Sequence, residues 1–149
     1  FSSPVVNKSG LTASSRTLSA LSDGTYYWRV RASDGAGNAG AWSATRSFTI
    51  DTTPPPAPSL VYPASGTVTG DTTPWLDWSD VADATGVTYR LQVDNNSDFS
   101  SPEVNKSGLT LSSRTLSALA AGTYYWRVMA VDGAGNSSGW TGAWTFTGV

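Results

Sequence analysis

Oxygen-bearing side chains follow one another in the segment Asp94-Asn95-Asn96-Ser97-Asp98, as they do where a calcium loop begins. A loop of the EF type also needs a glycine where this chain has Phe99, and a bidentate acid where it has Asn105. A hydrogen-bonded turn explains the segment better than a calcium site does. We therefore predict that the chain uses no metal and no cofactor.

Catalysis has little support in the residue types that are present. Asp77, Asp80 and Asp83 lie near one turn, but no base, nucleophile or set of oxyanion donors accompanies them. The sequence has no Cys and no His, which removes thiolate chemistry, imidazole bases and the usual zinc or copper ligands. We predict a protein that is not an enzyme.

The charge of the chain argues against two kinds of partner. The net charge is −2, and the only lysines are Lys8 and Lys106, so no basic surface exists to bind phosphates or anionic lipid. No apolar run approaches the length of a transmembrane helix. We expect neither nucleic acid as a partner nor membrane insertion of this segment.

Tryptophan and tyrosine side chains offer a second kind of chemistry, which is stacking on the rings of sugars. The same side chains can instead cap the edge of a sandwich or pack against a neighbouring module. Glycans therefore stay a possible partner. The candidate aromatic residues are Trp75, Tyr125, Trp140 and Trp144.

Four asparagines begin Asn-x-Ser sequences, the acceptor pattern for N-linked glycans on exported proteins. Because such three-residue matches also occur by chance, they are candidates for modification only. They are Asn7, Asn95, Asn105 and Asn136.

An internal repeat determines how the chain is organised. Residues 1–48 align without a gap on residues 99–146, and 34 of the 48 positions are identical at an offset of 98 residues. Repetition at this spacing is typical of tandem modules that do mechanical or multivalent work. We expect residues 1–149 to be a segment of a longer repetitive polypeptide.

Differences between the two copies indicate which side chains face the core. Within the segment Tyr124–Val131 the copies differ only where Met129 replaces Arg31 and Val131 replaces Ser33. Both positions are odd-numbered in the second copy, and positions that differ between copies should lie on the exposed face. Side chains alternate across a strand, so the residues of opposite parity, the even-numbered ones, should be buried. The predicted inward residues are Tyr124, Trp126, Val128 and Ala130, with Tyr26, Trp28, Val30 and Ala32 in the first copy.

Short apolar or alternating segments between turn residues predict the other strands. Val87–Asp94 should bury Tyr89, Leu91 and Val93, and Trp75–Trp78 should bury Leu76 and Trp78 while Trp75 points outward. No segment is typical of a helix, so we predict an all-β fold. The remaining predicted strands are 60–62, 103–105, 114–116 and 144–147.

These residues resemble the fibronectin type III family, in the form found along bacterial and archaeal surface proteins. The similarity lies in Trp78, in Tyr89, in Leu119 to Gly122 leading into Tyr124, and in the run Trp126–Asp132. It implies an antiparallel sandwich of about seven strands per module, with the Tyr124 hydroxyl bound to nearby backbone. The departures are Arg16 and Arg114, where an aromatic residue is expected.

The resemblance implies one and a half modules. Residues 1–50 correspond to the C-terminal half of one module, 51–56 to a Pro-rich linker and 57–149 to a complete module. A half sandwich of about 50 residues buries too little apolar area to offset its ordering entropy. We therefore expect Tyr26 and Trp28 to need a covering β layer that these 149 residues do not provide.

The leading functional hypothesis is an extracellular or cell-surface structural repeat that forms a stalk, sheath or filament through contacts with other copies of the repeat. The alternative is an accessory or carbohydrate-binding spacer module of a secreted enzyme that degrades polysaccharides. The candidates for contact between modules are Trp75, Met129, Val131 and Trp144.

Overall fold

The chain, described over residues 1–149 in a computed structural model, forms ten β-strands and no helix. It divides into two units, residues 1–50 (unit 1) and residues 51–149 (unit 2). The all-β prediction is confirmed. The strands are β1 Gly24–Trp28, β2 Arg46–Ile50, β3 Leu60–Tyr62, β4 Thr67–Thr69, β5 Trp75–Trp78, β6 Val87–Asp94, β7 Val104–Leu109, β8 Ser113–Thr115, β9 Gly122–Asp132 and β10 Trp144–Gly148.

Unit 2 contains two sheets. The larger has the order β4-β10-β9-β6-β7, and the smaller has the order β3-β5-β8. The pairs are antiparallel except β4, which runs parallel to β10. The longest ladder joins β6 to β9 over eight residues, from Val87 opposite Asp132 to Asp94 opposite Tyr125. This sandwich-like arrangement places β9 at the centre of the larger sheet.

Side chains from both sheets meet in one hydrophobic core. The smaller sheet supplies Leu60, Leu76 and Trp78, with Leu116 next to it, while β6, β9 and β10 supply the rest. The parity predicted from the two copies is correct for unit 2, because Tyr124, Trp126, Val128 and Ala130 are all buried. Trp78 meets Tyr89 edge to face across the core, with ring centroids 5.6 Å apart. The other members are Tyr89, Leu91, Val93 and Phe146.

The sequence-based strand bounds are correct for β3, β5 and β6 and differ elsewhere. β7 begins at Val104 and continues to Leu109, beyond the predicted end, because pairing with β6 extends it across a register shift. β4 was not predicted, since its three residues offer only one apolar side chain, Val68, and pair only with β10. The Pro-rich segment 51–56 belongs to unit 2, and Pro55 in it is buried.

Unit 1 contains a single two-stranded sheet in which β1 pairs antiparallel with β2, from Gly24 opposite Ile50 to Trp28 opposite Arg46. No second sheet covers it. Trp28 and Val30, predicted to face a core, are 46% and 56% exposed in unit 1, as expected where these 149 residues supply no covering layer. A two-stranded ribbon has no second layer against which an inward face can pack.

Candidate functional site

The open face of unit 1, made of Tyr26, Trp28, Val30 and Phe48, carries the same residue types as the core face of β9 and β10. Tyr26 stacks on Phe48 with ring centroids 5.6 Å apart, and Tyr124 stacks on Phe146 at 5.5 Å. Trp126 and Val128 are fully buried in unit 2, whereas their counterparts in unit 1 are exposed. The stacked pair of rings is therefore the same in both copies, and the cover over this face is the first difference between them.

The open edge of unit 1, residues 27–34, is the second difference. Their equivalents, residues 125–132, form a ladder with β6 along their whole length. In unit 1, strand β1 ends at Trp28, and β2 is its only partner. Since alternate residues of a strand direct their backbone groups to opposite edges, an edge without a partner presents a row of free hydrogen-bonding groups.

A stacked arginine lies beside the open edge. Arg29 is held between the rings of Phe1 and Trp42, with its guanidinium carbon 4.4 Å from each ring centroid. Arg127 is held in the same way in unit 2, at 3.9 Å from Phe99 and 4.6 Å from Trp140. Such contacts orient the guanidinium group and leave its edge free to donate hydrogen bonds.

Arg127 uses that free edge to bind β6. Its Nε and Nη2 both donate to Oε1 of Gln92, at 2.9 and 2.7 Å. Burial lowers the pKa of Arg127 from its ordinary value. Gln92 is the only glutamine in the chain, so unit 1 holds no equivalent acceptor for Arg29.

Three carboxylates meet in unit 2, where oxygens of Asp51, Asp83 and Asp132 lie within 4.8 Å of one another. Thr85 Oγ1 lies 2.9 Å from Asp51 Oδ2 and 3.0 Å from Asp83 Oδ1, within hydrogen-bonding distance of both. Asn136 Nδ2 donates to Asp132 Oδ2 at 2.7 Å and to the Asp51 carbonyl at 3.0 Å. The cluster thus anchors the Pro-rich segment to two loops.

The loop that begins at Asp132 has a matching loop in unit 1. Burial acts to raise the pKa of Asp132, but hydrogen bonds from Asn136 and from neighbouring backbone groups keep that pKa below its ordinary value. Asn38 provides the corresponding hydrogen bonds to Asp34 in unit 1, and they lower the pKa of Asp34 too.

The segment Asp94–Asp98, considered above as the start of a calcium loop, forms hydrogen-bonded turns. Asp94 is fully buried, and its two carboxylate oxygens accept hydrogen bonds from the backbone of Asn96 at 3.0 Å and Ser101 at 3.1 Å. Asp98 accepts from the Ser100 backbone at 3.0 Å, and hydrogen bonds from Ser100 lower the pKa of Asp98. The turns hold Phe99, whose φ of 55° is in the left-handed region, beneath Arg127.

One aromatic groove lies on the surface of unit 2. Tyr62 and Trp75 are 50% and 44% exposed, and their ring centroids are 5.7 Å apart at an interplanar angle of 35°. The groove has a volume of about 240 Å³, and Thr67, Thr69 and Asp71 also line it. Tyr62 was missed in the sequence because its predicted strand, Leu60–Tyr62, shows no alternation that separates inward from outward residues.

The other predicted contact and stacking residues are less accessible than predicted. Met129 is only 8% exposed, so the prediction of an outward, accessible side chain is wrong for it. The outward prediction is also wrong for Trp144, which has the parity of the buried Phe146 and packs edge to face on Trp126, with ring centroids 6.3 Å apart. Trp140 covers Arg127, and Val131 and Tyr125 are half-buried. Of these candidates, Trp75 has the most open ring.

The four candidate glycosylation residues differ in accessibility. Asn7, Asn95 and Asn105 are exposed, although the Asn95 amide donates to Glu103 at 3.2 Å. Asn136 is half-buried, and its amide nitrogen already makes the two hydrogen bonds described above. Among the candidates for catalysis, Asp83 lies in the anchoring cluster, and Asp77 is part of β5.

Comparisons with known proteins identify no family for this chain. No protein-family model matches the sequence, and no curated protein matches it. Among solved structures, an α-L-rhamnosidase of Streptomyces avermitilis, crystallised with L-rhamnose, is similar over 64% of this chain at 17% identity and a TM-score of 0.44. The matched region is 10% of that enzyme's chain. A similarity at this level carries no argument about this chain. None of the chain is a helix capable of crossing a membrane.

Proposed function

We propose that this chain is a non-catalytic structural repeat of the fibronectin type III kind, on the outside of a cell. It acts through contacts between modules in a stalk, sheath or filament. The observation that carries this proposal is the near-identity of two copies, of which one is buried in a sandwich and the other presents the equivalent side chains on an open sheet. Surfaces that recur along a chain make equivalent contacts with other copies.

The features of unit 2 support a structural role. Its acidic and amide side chains are engaged in turns and in the anchor of the Pro-rich segment, and its aromatic side chains mostly form the core. Asp94, Asp132 and the stacked Arg127 each hold a loop to a strand. These contacts hold the loops of the module to its strands, which suits a role in structure.

Immunogold electron microscopy of intact source cells, with antibodies raised against this chain, tests the proposal. We expect the label to follow an appendage or a surface layer. Gold confined to the cell interior in sectioned cells would contradict the proposal. Denatured chain added to the antibody beforehand serves as the specificity control.

A second candidate function is that of a carbohydrate-binding spacer, which the Tyr62–Trp75 groove favours. Two exposed rings beside threonine hydroxyls and the Asp71 carboxylate combine stacking surface with hydrogen-bonding groups, the combination with which proteins hold sugar rings. The groove is lined by β3 and β5 of the smaller sheet and by β4 of the larger sheet, and none of its lining residues belongs to the core of unit 2.

A glycan array separates this candidate from a purely structural repeat. We expect the chain to retain a plant or microbial polysaccharide, and Trp75→Ala to lose at least about tenfold in affinity because one stacking face is removed. Trp42→Ala is the matched control, since Trp42 is equally exposed at 45% but lies over Arg29 and Arg31. Absence of binding to every glycan would rule the candidate out.

A further inference from the structure

Unit 1 has three features that unit 2 uses to hold β6 and the smaller sheet. The first is the open face, whose equivalent in unit 2 packs against Leu76, Trp78 and Leu91. Because the two copies share their sequence here, the same side chains suit the same cover. Apolar surface of this kind, exposed in one copy and buried in the other, marks an interaction site.

The second feature is the open edge. In unit 2, strand β9 runs for 11 residues, and the part beyond Trp126 lies against β6, with Leu91 opposite Val128 and Val87 opposite Asp132. The equivalent strand in unit 1 stops after five residues, although residues 27–34 repeat Tyr125–Asp132 with only two changes. The missing length of strand is therefore explained by the missing neighbour.

The third feature is Arg29. Its guanidinium group is stacked between two rings before any acceptor is present, as Arg127 is stacked where it binds Gln92. An incoming strand that carries glutamine opposite Arg29 would receive the same pair of hydrogen bonds. Backbone pairing at the open edge accepts any β-strand, and Arg29 adds a preference for a strand with glutamine at the opposite position.

We propose that unit 1 binds a β layer of the same repeat, with the strand pattern of residues 51–98, and closes into a second sandwich like unit 2. The register follows from the β6–β9 ladder. The glutamine that corresponds to Gln92 lies opposite Arg29, the leucine that corresponds to Leu91 lies opposite Val30, and the valine that corresponds to Val87 lies opposite Asp34. This inference rests on the proposed function, since it names the partner of one contact between modules.

A second copy of this chain is not the partner that the structure favours. The only 51–98 layer in each chain already covers residues 99–149, through the ladder of β6 with β9 and the shared core. Lending that layer to unit 1 of another molecule would expose Trp126 and Val128 in the lender. The partner is therefore an additional layer of the same sequence pattern.

A fusion tests the proposal with the chain intact. A second copy of residues 51–98 is placed directly before Phe1, which recreates the natural junction between Asp98 and Phe99. Hydrogen exchange with mass spectrometry then follows the open edge and residues 125–132 in the same molecule. Fragments that contain Arg31 or Met129 tell the two copies apart. We expect exchange in the open edge to slow by at least about 100-fold and to approach that of residues 125–132.

The matched control is the same fusion with Leu91→Asp in the added copy only, which places a charge where the layer should face the core. Exchange in the open edge should then stay as fast as in the unfused chain. If the intact fusion leaves that exchange unchanged, the proposal is wrong. If the unfused chain already protects the open edge in a concentration-dependent manner, a second copy is the partner and the proposal is also wrong. Neither outcome alters the cell-surface labelling that tests the proposed function.

Discussion

Residues 24–34 and 122–132 have nearly the same sequence, and the structure places them in two different environments. In the second copy a β-strand of 11 residues lies in the middle of a five-stranded sheet, and in the first a strand of five residues lies in a two-stranded sheet. The stacked rings, the arginine stack and the aspartate loop are formed in both copies. Local structure is thus encoded locally, whereas burial depends on a neighbouring layer.

Tryptophan removal gives the largest expected contrast between the copies. Trp126→Ala empties a fully buried position and should lower the free energy of unfolding by about 3–5 kcal/mol. Trp28→Ala removes an exposed ring and should change it by less than about 0.5 kcal/mol. Urea unfolding followed by circular dichroism measures both values. Equal losses would mean that Trp28 is buried in solution, and the contrast between the copies would not hold.

Gly35 and Gly133 occupy equivalent positions in the two copies, and adding one methyl group to each tests how closely the two loops are packed. A Cβ atom on Gly133 would collide with the carbonyl oxygen of Thr85, whereas one on Gly35 would meet nothing within 4 Å. We expect Gly133→Ala to cost about 1–3 kcal/mol of stability, because the loop must move away from Thr85. Gly35→Ala should be close to neutral. Thermal unfolding of both variants checks this, and similar melting temperatures would contradict it.

Most of the core of unit 2 was predictable from the sequence, for a reason that the particular residues make clear. Arg31 and Ser33 differ from Met129 and Val131 on one parity only, and that parity identified Trp126 and Val128 as inward. The same parity marked Trp28 as inward, and the count of half modules showed that unit 1 lacks the layer to cover it. Pattern alone does not show that an outward side chain such as Met129 is covered by its neighbours.

The surface features of unit 2 depend on contacts that are distant in the sequence, and so were not predictable. Asp51 is joined to Thr85 and Asn136, which are 34 and 85 residues away. Tyr62 and Trp75 come together only because β3 pairs with β5. The aspartate turns were recognisable, since their hydrogen bonds reach only two to four residues along the chain.

The asparagine that binds the aspartate loop should make stability depend on pH in unit 2. Burial acts to raise the pKa of Asp132, but hydrogen bonds from Asn136 and from the Gly135 and Ala134 backbone together keep that pKa below its ordinary value of 3.8. A lowered pKa in the folded state stabilises the protein above about pH 4, and this contribution is lost as the pH falls through the folded-state pKa. Asn136→Ala should therefore destabilise unit 2 at pH 7 and matter less below pH 4.

Asn38→Ala is the matched control for that variant. It removes the equivalent side-chain hydrogen bond, from Asn38 Nδ2 to Asp34, and leaves the backbone one in place. Unit 1 has no counterpart of the bond from Asn136 to the Asp51 carbonyl. We expect Asn136→Ala to lose less stability than Gly133→Ala and more than Asn38→Ala at pH 7. Urea midpoints measured from pH 3 to pH 7 provide the comparison. A loss for Asn136→Ala that stays constant over this range would exclude Asp132 as its cause.

The two tyrosine hydroxyls should give the smallest difference, and they separate bond geometry from burial. Tyr124 donates to the Ala120 carbonyl at 3.1 Å, and Tyr26 donates to the Ser22 carbonyl at 2.9 Å, so both bonds have ordinary lengths. The Tyr124 bond is partly buried and the Tyr26 bond is exposed. Tyr124→Phe should cost about 0.5–1.5 kcal/mol, because water replaces a buried partner poorly.

Tyr26→Phe should cost almost nothing in this chain, since water satisfies an exposed carbonyl once the hydroxyl is gone. In a chain whose unit 1 has been closed by an added β layer, the same substitution should become as costly as Tyr124→Phe. Urea unfolding is measured for the chain with and without Tyr26→Phe, and for the chain with an added β layer with and without the same substitution. The comparison shows how the cost of the substitution depends on the added layer. If the loss of stability caused by Tyr26→Phe is the same with and without the added layer, the hydrogen bond contributes equally whether exposed or buried. In that case burial is not what distinguishes the two copies.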